Sequence, residues 1–149
     1  MEPILQGAPA ELWQALVRDG SARGGCRLDE ASESYLVFVL LRHQRDGQLL
    51  ARTQALEWLH AQAQTGSVRT DALRDVGDRC LLIAGLYPAL AERRRVTLDY
   101  FVDLGRGAYR EVAEASRNAY GDLFAQLAGR YRELVQALRA LREAAAARP

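Results

Sequence analysis

Lysine is absent from this chain: all 20 basic residues are arginine. That bias fits the composition of a GC-rich genome and needs no functional cause. The 19 acidic residues leave a net charge of +1. Electrostatic binding to nucleic acid needs a strong positive excess gathered on one face, so no nucleic-acid partner is expected. Cysteine is scarce, with only Cys26 and Cys80, and they form no CxxC pair. Two lone thiols suit a reducing compartment. Cys80 falls on an apolar helical stripe and reads as a small core residue, whereas Cys26 sits among glycines and is expected to be exposed.

Long hydrophobic runs are also missing. The longest, residues 35–41, is far shorter than the roughly 20 residues that cross a bilayer, so no membrane partner is expected. The start of the chain has neither the positive charge nor the apolar stretch of a secretion signal, and a cytoplasmic location is expected.

What is present is helical periodicity almost throughout. The 149 residues are 49% hydrophobic and 26% charged, which suits one soluble domain with its own core. The expected fold is all-α: a single-domain bundle of about six helices, mostly antiparallel, spanning residues 1–149 with residues 1–8 and 143–149 flexible.

A first helix opens at Pro9, carries Leu12, Trp13, Leu16 and Val17 on one face, and stops at Asp19-Gly20 before a glycine-rich loop over residues 20–25. Asp29 caps a second, through Tyr35, Leu36, Val39, Leu40 and His43. Its run could also form a buried strand, but Glu30 and Glu33 before it and Arg42 and Arg45 after it suit a helix dipole. A soft break at Asp46-Gly47 leads to a third helix along Leu49, Thr53, Leu56, Leu59 and Ala63, closed by residues 65–67. Thr70 caps the fourth, whose second half is apolar on every face and which Pro88 ends. After a helical turn at residues 90–94, Thr97 caps the fifth, along Phe101, Leu104, Gly105, Ala108 and Val112. The last is the most regular, with Leu123, Phe124, Leu127, Tyr131, Leu134 and Leu138 in line.

Glycine inside a helix costs about 1 kcal/mol relative to alanine, so Gly77, Gly85, Gly105 and Gly107 suggest helices in close contact. Beside that seam, Asp78 shares a face with Leu82 and Gly85. A buried acid must be hydrogen-bonded or paired. Tyr100, Arg106 and Tyr109 of the fifth helix are the expected partners, and Asp75 is expected to pair with Arg79 one helical turn on. The group Asp78, Arg79, Tyr100, Arg106 and Tyr109 is therefore a candidate buried polar cluster or ligand site.

Chemistry-bearing motifs are weak. Glu57 and His60 have the spacing of one half of a di-iron site, but there is no second copy, so His60 reads as a helix-edge residue. No nucleophile motif appears. The Gly105-Arg106-Gly107 segment lacks the third glycine and preceding strand of a dinucleotide fold. The run Arg93, Arg94 and Arg95 is flanked by Glu92 and Asp99 and reads as a solvated turn. No catalytic, cofactor or metal residue is assigned. On the last helix, Gly121, Ala125 and Gly129 recur every four residues, a groove that another helix could approach. Leu123, Ala128 and Val135 would form its apolar rim.

Gly77-Asp78, the run Leu81-Leu82-Ile83, the segment Gly85-Leu86-Tyr87-Pro88, then Tyr100-Phe101, Leu104-Gly105 and Ala108-Tyr109 form a pattern. It resembles one found in a group of small bacterial helical proteins without established function. The likeness extends over residues 28–138, with its specific motifs in the middle third. It implies an all-helical bacterial protein with fixed packing of the fourth helix on the fifth, and no activity or cofactor. The functional expectation is a non-enzymatic cytoplasmic interaction, regulatory or adaptor module whose partner is another protein or a second copy in a homodimer. The alternative is a small-molecule-binding or enzymatic bundle with its site around Asp78.

Overall fold

The computed structural model describes residues 10–43, 53–93 and 96–146. Among them there are eight helices and no strand: α1 (Ala10–Arg23), α2 (Glu30–His43), α3 (Gln54–Gln62), α4 (Gly66–Leu86), α5 (Ala89–Arg93), α6 (Leu98–Ala115), α7 (Asn118–Gly129) and α8 (Tyr131–Ala146). None is long and apolar enough to cross a membrane. The all-α class holds, with eight helices in place of about six. Residues 35–41 are helical. Pro9, the Asp46-Gly47 break, Leu49, Arg94, Arg95 and the flexible segment expected at residues 1–8 lie outside the described residues.

The central element is α4, which packs against α3, α6 and α8, while α1 lies on α8 and α2, and α7 lies on α6. Residues 80–87 are buried without interruption, as expected of a helix apolar on every face. Two caps fall where the residue types placed them. The Asp29 carboxylate accepts from the Ser32 N–H at 2.9 Å, and the Thr97 hydroxyl oxygen accepts from the Tyr100 N–H at 3.1 Å.

Several boundaries differ, each for a tertiary reason. Helix α1 continues through Gly20 because that residue meets α8: a Cβ there would lie 2.7 Å from the Ala137 carbonyl oxygen. Cys26 is buried rather than exposed, with its Sγ 3.4 Å from the Glu133 carbonyl oxygen. The N-cap of α4 is Thr65, so residues 66–67 start that helix instead of closing α3. Thr70 lies inside it and donates its hydroxyl to the Gly66 carbonyl at 3.2 Å. The expected last helix is two, because Arg130, at φ −110° and ψ 21°, leaves helical geometry and lets α7 and α8 take different partners. Residues 143–146 belong to α8, and Ala144 is buried; residues 147–149 are outside the description.

The largest difference is in α3. The stripe Leu56 and Leu59 faces outward, 57% and 55% exposed, while Gln54 and Ala61 are buried. Its orientation follows from hydrogen bonding. Glu111 of α6 accepts from Trp58 Nε1 at 3.0 Å and Gln62 Nε2 at 2.7 Å, and Arg69 of α4 donates to the same carboxylate at 2.8 Å. Charge-assisted bonds of this kind are roughly twice as strong as neutral ones. They turn the Trp58 and Gln62 edge inward and the leucines out.

Candidate functional site

The crossing of α4 and α6 is built from glycines facing tyrosines. A Cβ on Gly77 would lie 2.3 Å from the Tyr109 ring, and one on Gly105 would lie 1.9 Å from the Tyr131 hydroxyl. A Cβ on Gly85 would lie 2.6 Å from Leu138 Cβ, so this glycine opens the contact between α4 and α8. Gly107 is different, with nothing within 4 Å of such an atom, and it marks no close approach. Tyr131 spans the seam and donates to the Gly77 carbonyl at 2.8 Å.

Next to Gly77, Asp78 is the one acid buried among the described residues, at 0% exposure. Its Oδ1 accepts from Tyr109 at 2.6 Å and from Tyr35 of α2 at 2.7 Å. Its Oδ2 makes no hydrogen bond and lies 3.7 Å from His43 Nε2 and 3.8 Å from Arg42 Nη1. The rings of Tyr35, Tyr109, Phe124 and Tyr131 enclose this centre edge to face, with centroids 5.2–6.0 Å apart. Toward solvent, Asp75 pairs with Arg42 at 2.8 Å and Arg74 at 3.6 Å.

Burial, followed by the Asp78 charge, raises the ionisation of Tyr35 and Tyr109 far above the ordinary tyrosine value. Tyr131 rises through burial first and then through Cys80 and Asp78. All three phenols keep their protons, Tyr35 and Tyr109 donating to the Asp78 carboxylate and Tyr131 to the Gly77 carbonyl. Burial also pushes the Cys80 thiol up, and burial with Glu133 raises that of Cys26, so neither is held as a nucleophilic thiolate.

Of the residues singled out in the sequence, Asp78 and Tyr109 meet directly. Tyr100 and Arg106 do not join them. Tyr100 is 42% exposed with its ring edge-on to Phe101, and Arg106 pairs with Asp103 at 3.2 Å one turn earlier. Arg79 is partly buried. The partners missed by sequence reasoning are Tyr35, Arg42 and His43, all from α2. A signal existed, since Tyr35 and His43 occupy the apolar stripe of α2 and buried polar atoms need partners.

No protein-family model matches the chain, and no curated protein or solved structure matches it either.

Gly121, Ala125 and Gly129 line one open groove of about 420 Å³ between α6 and α7. Gly121 is itself buried, where a Cβ would lie 2.9 Å from the Ser116 carbonyl oxygen. Arg110, Glu114 and Asp122 share the lining. Of the expected apolar rim, Leu123 is partly buried as expected, whereas Ala128, which lines the groove, and Val135 are buried.

Proposed function

We propose that this protein is a non-enzymatic interaction module of the cytoplasm that works by pairing with a second copy of itself through the outward face of α3. The observation that carries this reading is the exposure of Leu56 and Leu59, side by side one turn apart on a helix whose inward edge is polar. Exposed apolar patches rimmed by polar groups mark interaction sites. The neighbouring exposed position Ala63 is apolar as well, so the face suits an apolar counterpart. At a net charge of +1 two copies do not repel, and a two-fold pair is the commonest arrangement of soluble oligomers. Membership of the small bacterial helical group that the central motifs resemble belongs to the same proposal.

The alternative of a ligand site around Asp78 is less well supported. Asp78, Tyr35 and Tyr109 are all buried, and the hydroxyl donors already occupy one carboxylate oxygen. That arrangement suits joining α2, α4 and α6.

Sedimentation velocity over a wide concentration range tests the reading. The wild-type chain should pass from monomer to dimer, and the double variant Leu56→Glu with Leu59→Glu should remain a monomer with an unchanged thermal melt. A wild-type chain that is monomeric at every concentration would overturn self-association.

A further inference from the structure

A cavity of about 180 Å³ opens between the start of α3, the second half of α4 and the start of α6. Its apolar walls are Ala55, Ile83, Val96 and Phe101, and the polar side chains of Thr53, Gln54 and Tyr100 complete the lining. Ile83 and Phe101 belong to the hydrophobic core, so the cavity reaches the interior rather than denting the surface. Side chains bordering a void lose dispersion contacts on that side.

Size narrows what can enter. Pockets for metabolite-sized or drug-sized ligands run to roughly 300–1,000 Å³, well above this volume. An apolar void of about 150 Å³ accepts a benzene molecule. The cavity therefore matches a single six-membered ring or a short branched chain. Tyr100 supplies the chemical distinction. It is 42% exposed, and its ring is held at 81° to that of Phe101, which sets one wall in place. Its hydroxyl makes no hydrogen bond to the described residues, which leaves it available to a polar group on an entering molecule.

We propose that this cavity binds a small apolar ligand of single-ring size that carries one hydroxyl or similar polar group, with Ile83 and Phe101 against the apolar part and Tyr100 hydrogen-bonded to the polar group. Because Ala55 lies in the first turn of α3, an occupied cavity also fixes that end of the helix against α6. This inference is independent of the pairing proposed for the leucine face.

The test uses phenol as the probe and the full ¹⁵N-labelled chain, followed by amide chemical shifts. Saturable shifts centred on Ala55, Ile83, Val96 and Phe101 are expected. Tyr100→Phe should weaken phenol binding about fivefold, the effect of one ordinary hydrogen bond. Ala55→Trp, which fills the space, should abolish the shifts while circular dichroism and the melting temperature are kept. If that variant does not fold, Val96→Phe fills the opposite wall and should give the same loss. Shifts that never saturate, that spread over the surface, or that persist in a folded filled variant would overturn the site. Sedimentation of the wild-type chain reads the leucine face separately, so failure of one proposal is distinguishable from failure of the other.

Discussion

The Tyr131 hydroxyl occupies the space that a side chain on Gly105 would take, with the position of that missing Cβ only 1.9 Å from the oxygen. The same hydroxyl donates to the Gly77 carbonyl, so one phenol fills a notch in α6 and holds α4. Gly105→Ala should therefore cost about 2–4 kcal/mol, combining overpacking with a displaced buried hydrogen bond. Gly107→Ala, two residues on and facing open space, should stabilise the protein by about 0.5–1 kcal/mol through helix propensity. Denaturant midpoints of the two variants should move in opposite directions, and equal shifts would contradict the seam.

Asp78 carries the connection of α2 to α4 and α6. Asp78→Ala strands two tyrosine hydroxyls and removes the negative charge facing Arg42 and His43, so a loss of about 3 kcal/mol is expected. Tyr35→Phe removes one donor and should cost about 1 kcal/mol. Urea titration checks both, and an unchanged midpoint for Asp78→Ala would remove its structural role.

Alkaline pH should unfold the protein together with its buried phenols. Folded Tyr35, Tyr109 and Tyr131 ionise well above the ordinary tyrosine value of 10.0. A group raised in the folded state contributes stability that is fully present below its unfolded value and is lost as pH climbs toward the folded one. Stability should fall above about pH 10, with phenolate absorbance rising in step with loss of helical circular dichroism. Phenolate appearing before the helices melt would contradict the burial.

At the acid end the sign is reversed. Gln126 and then Ser32, hydrogen-bonded to Asp29, hold its carboxyl below the ordinary value. That contribution is present above the unfolded carboxylate value and is lost as pH falls through the folded one. Gln126→Ala should shrink the fall in stability across the acid limb, and an acid limb identical to wild type would count against the bond.

The orientation of α3 depends on Glu111. Glu111→Ala should cost about 2 kcal/mol and speed hydrogen exchange across Gln54–Gln62, while Leu56→Ser should change stability by about 0.5 kcal/mol or less. A large loss for Leu56→Ser would mean that the leucine packs inside.

Local chemistry made much of this fold legible. The Asp29 and Thr97 caps depend on residues three positions away, and the close contacts at Gly77, Gly85 and Gly105 follow from the cost of glycine in a helix. Features set by distant residues were not legible in the same way. Periodicity placed Leu56 and Leu59 inside, because the decisive Glu111 lies about fifty residues further along. Gly20 reads as a stop until the backbone of Ala137 lies against it. Asp78 and Tyr109 could be paired in advance since both flank the glycine seam, but Tyr35 and His43 come from a helix whose polar atoms looked like ordinary stripe members.

The burial of residues 80–87 on every side has a consequence for how the molecule comes apart. A helix with one wet face can peel away and return, but the second half of α4 has none. Loosening α3, α6 or α8 uncovers part of it, so these four elements share one fate. The slowest-exchanging amides should lie in α4 and appear together, at the free energy of global unfolding. Helix α2, joined to α4 through the reach of Tyr35 and Arg42, can open earlier without disturbing that axle.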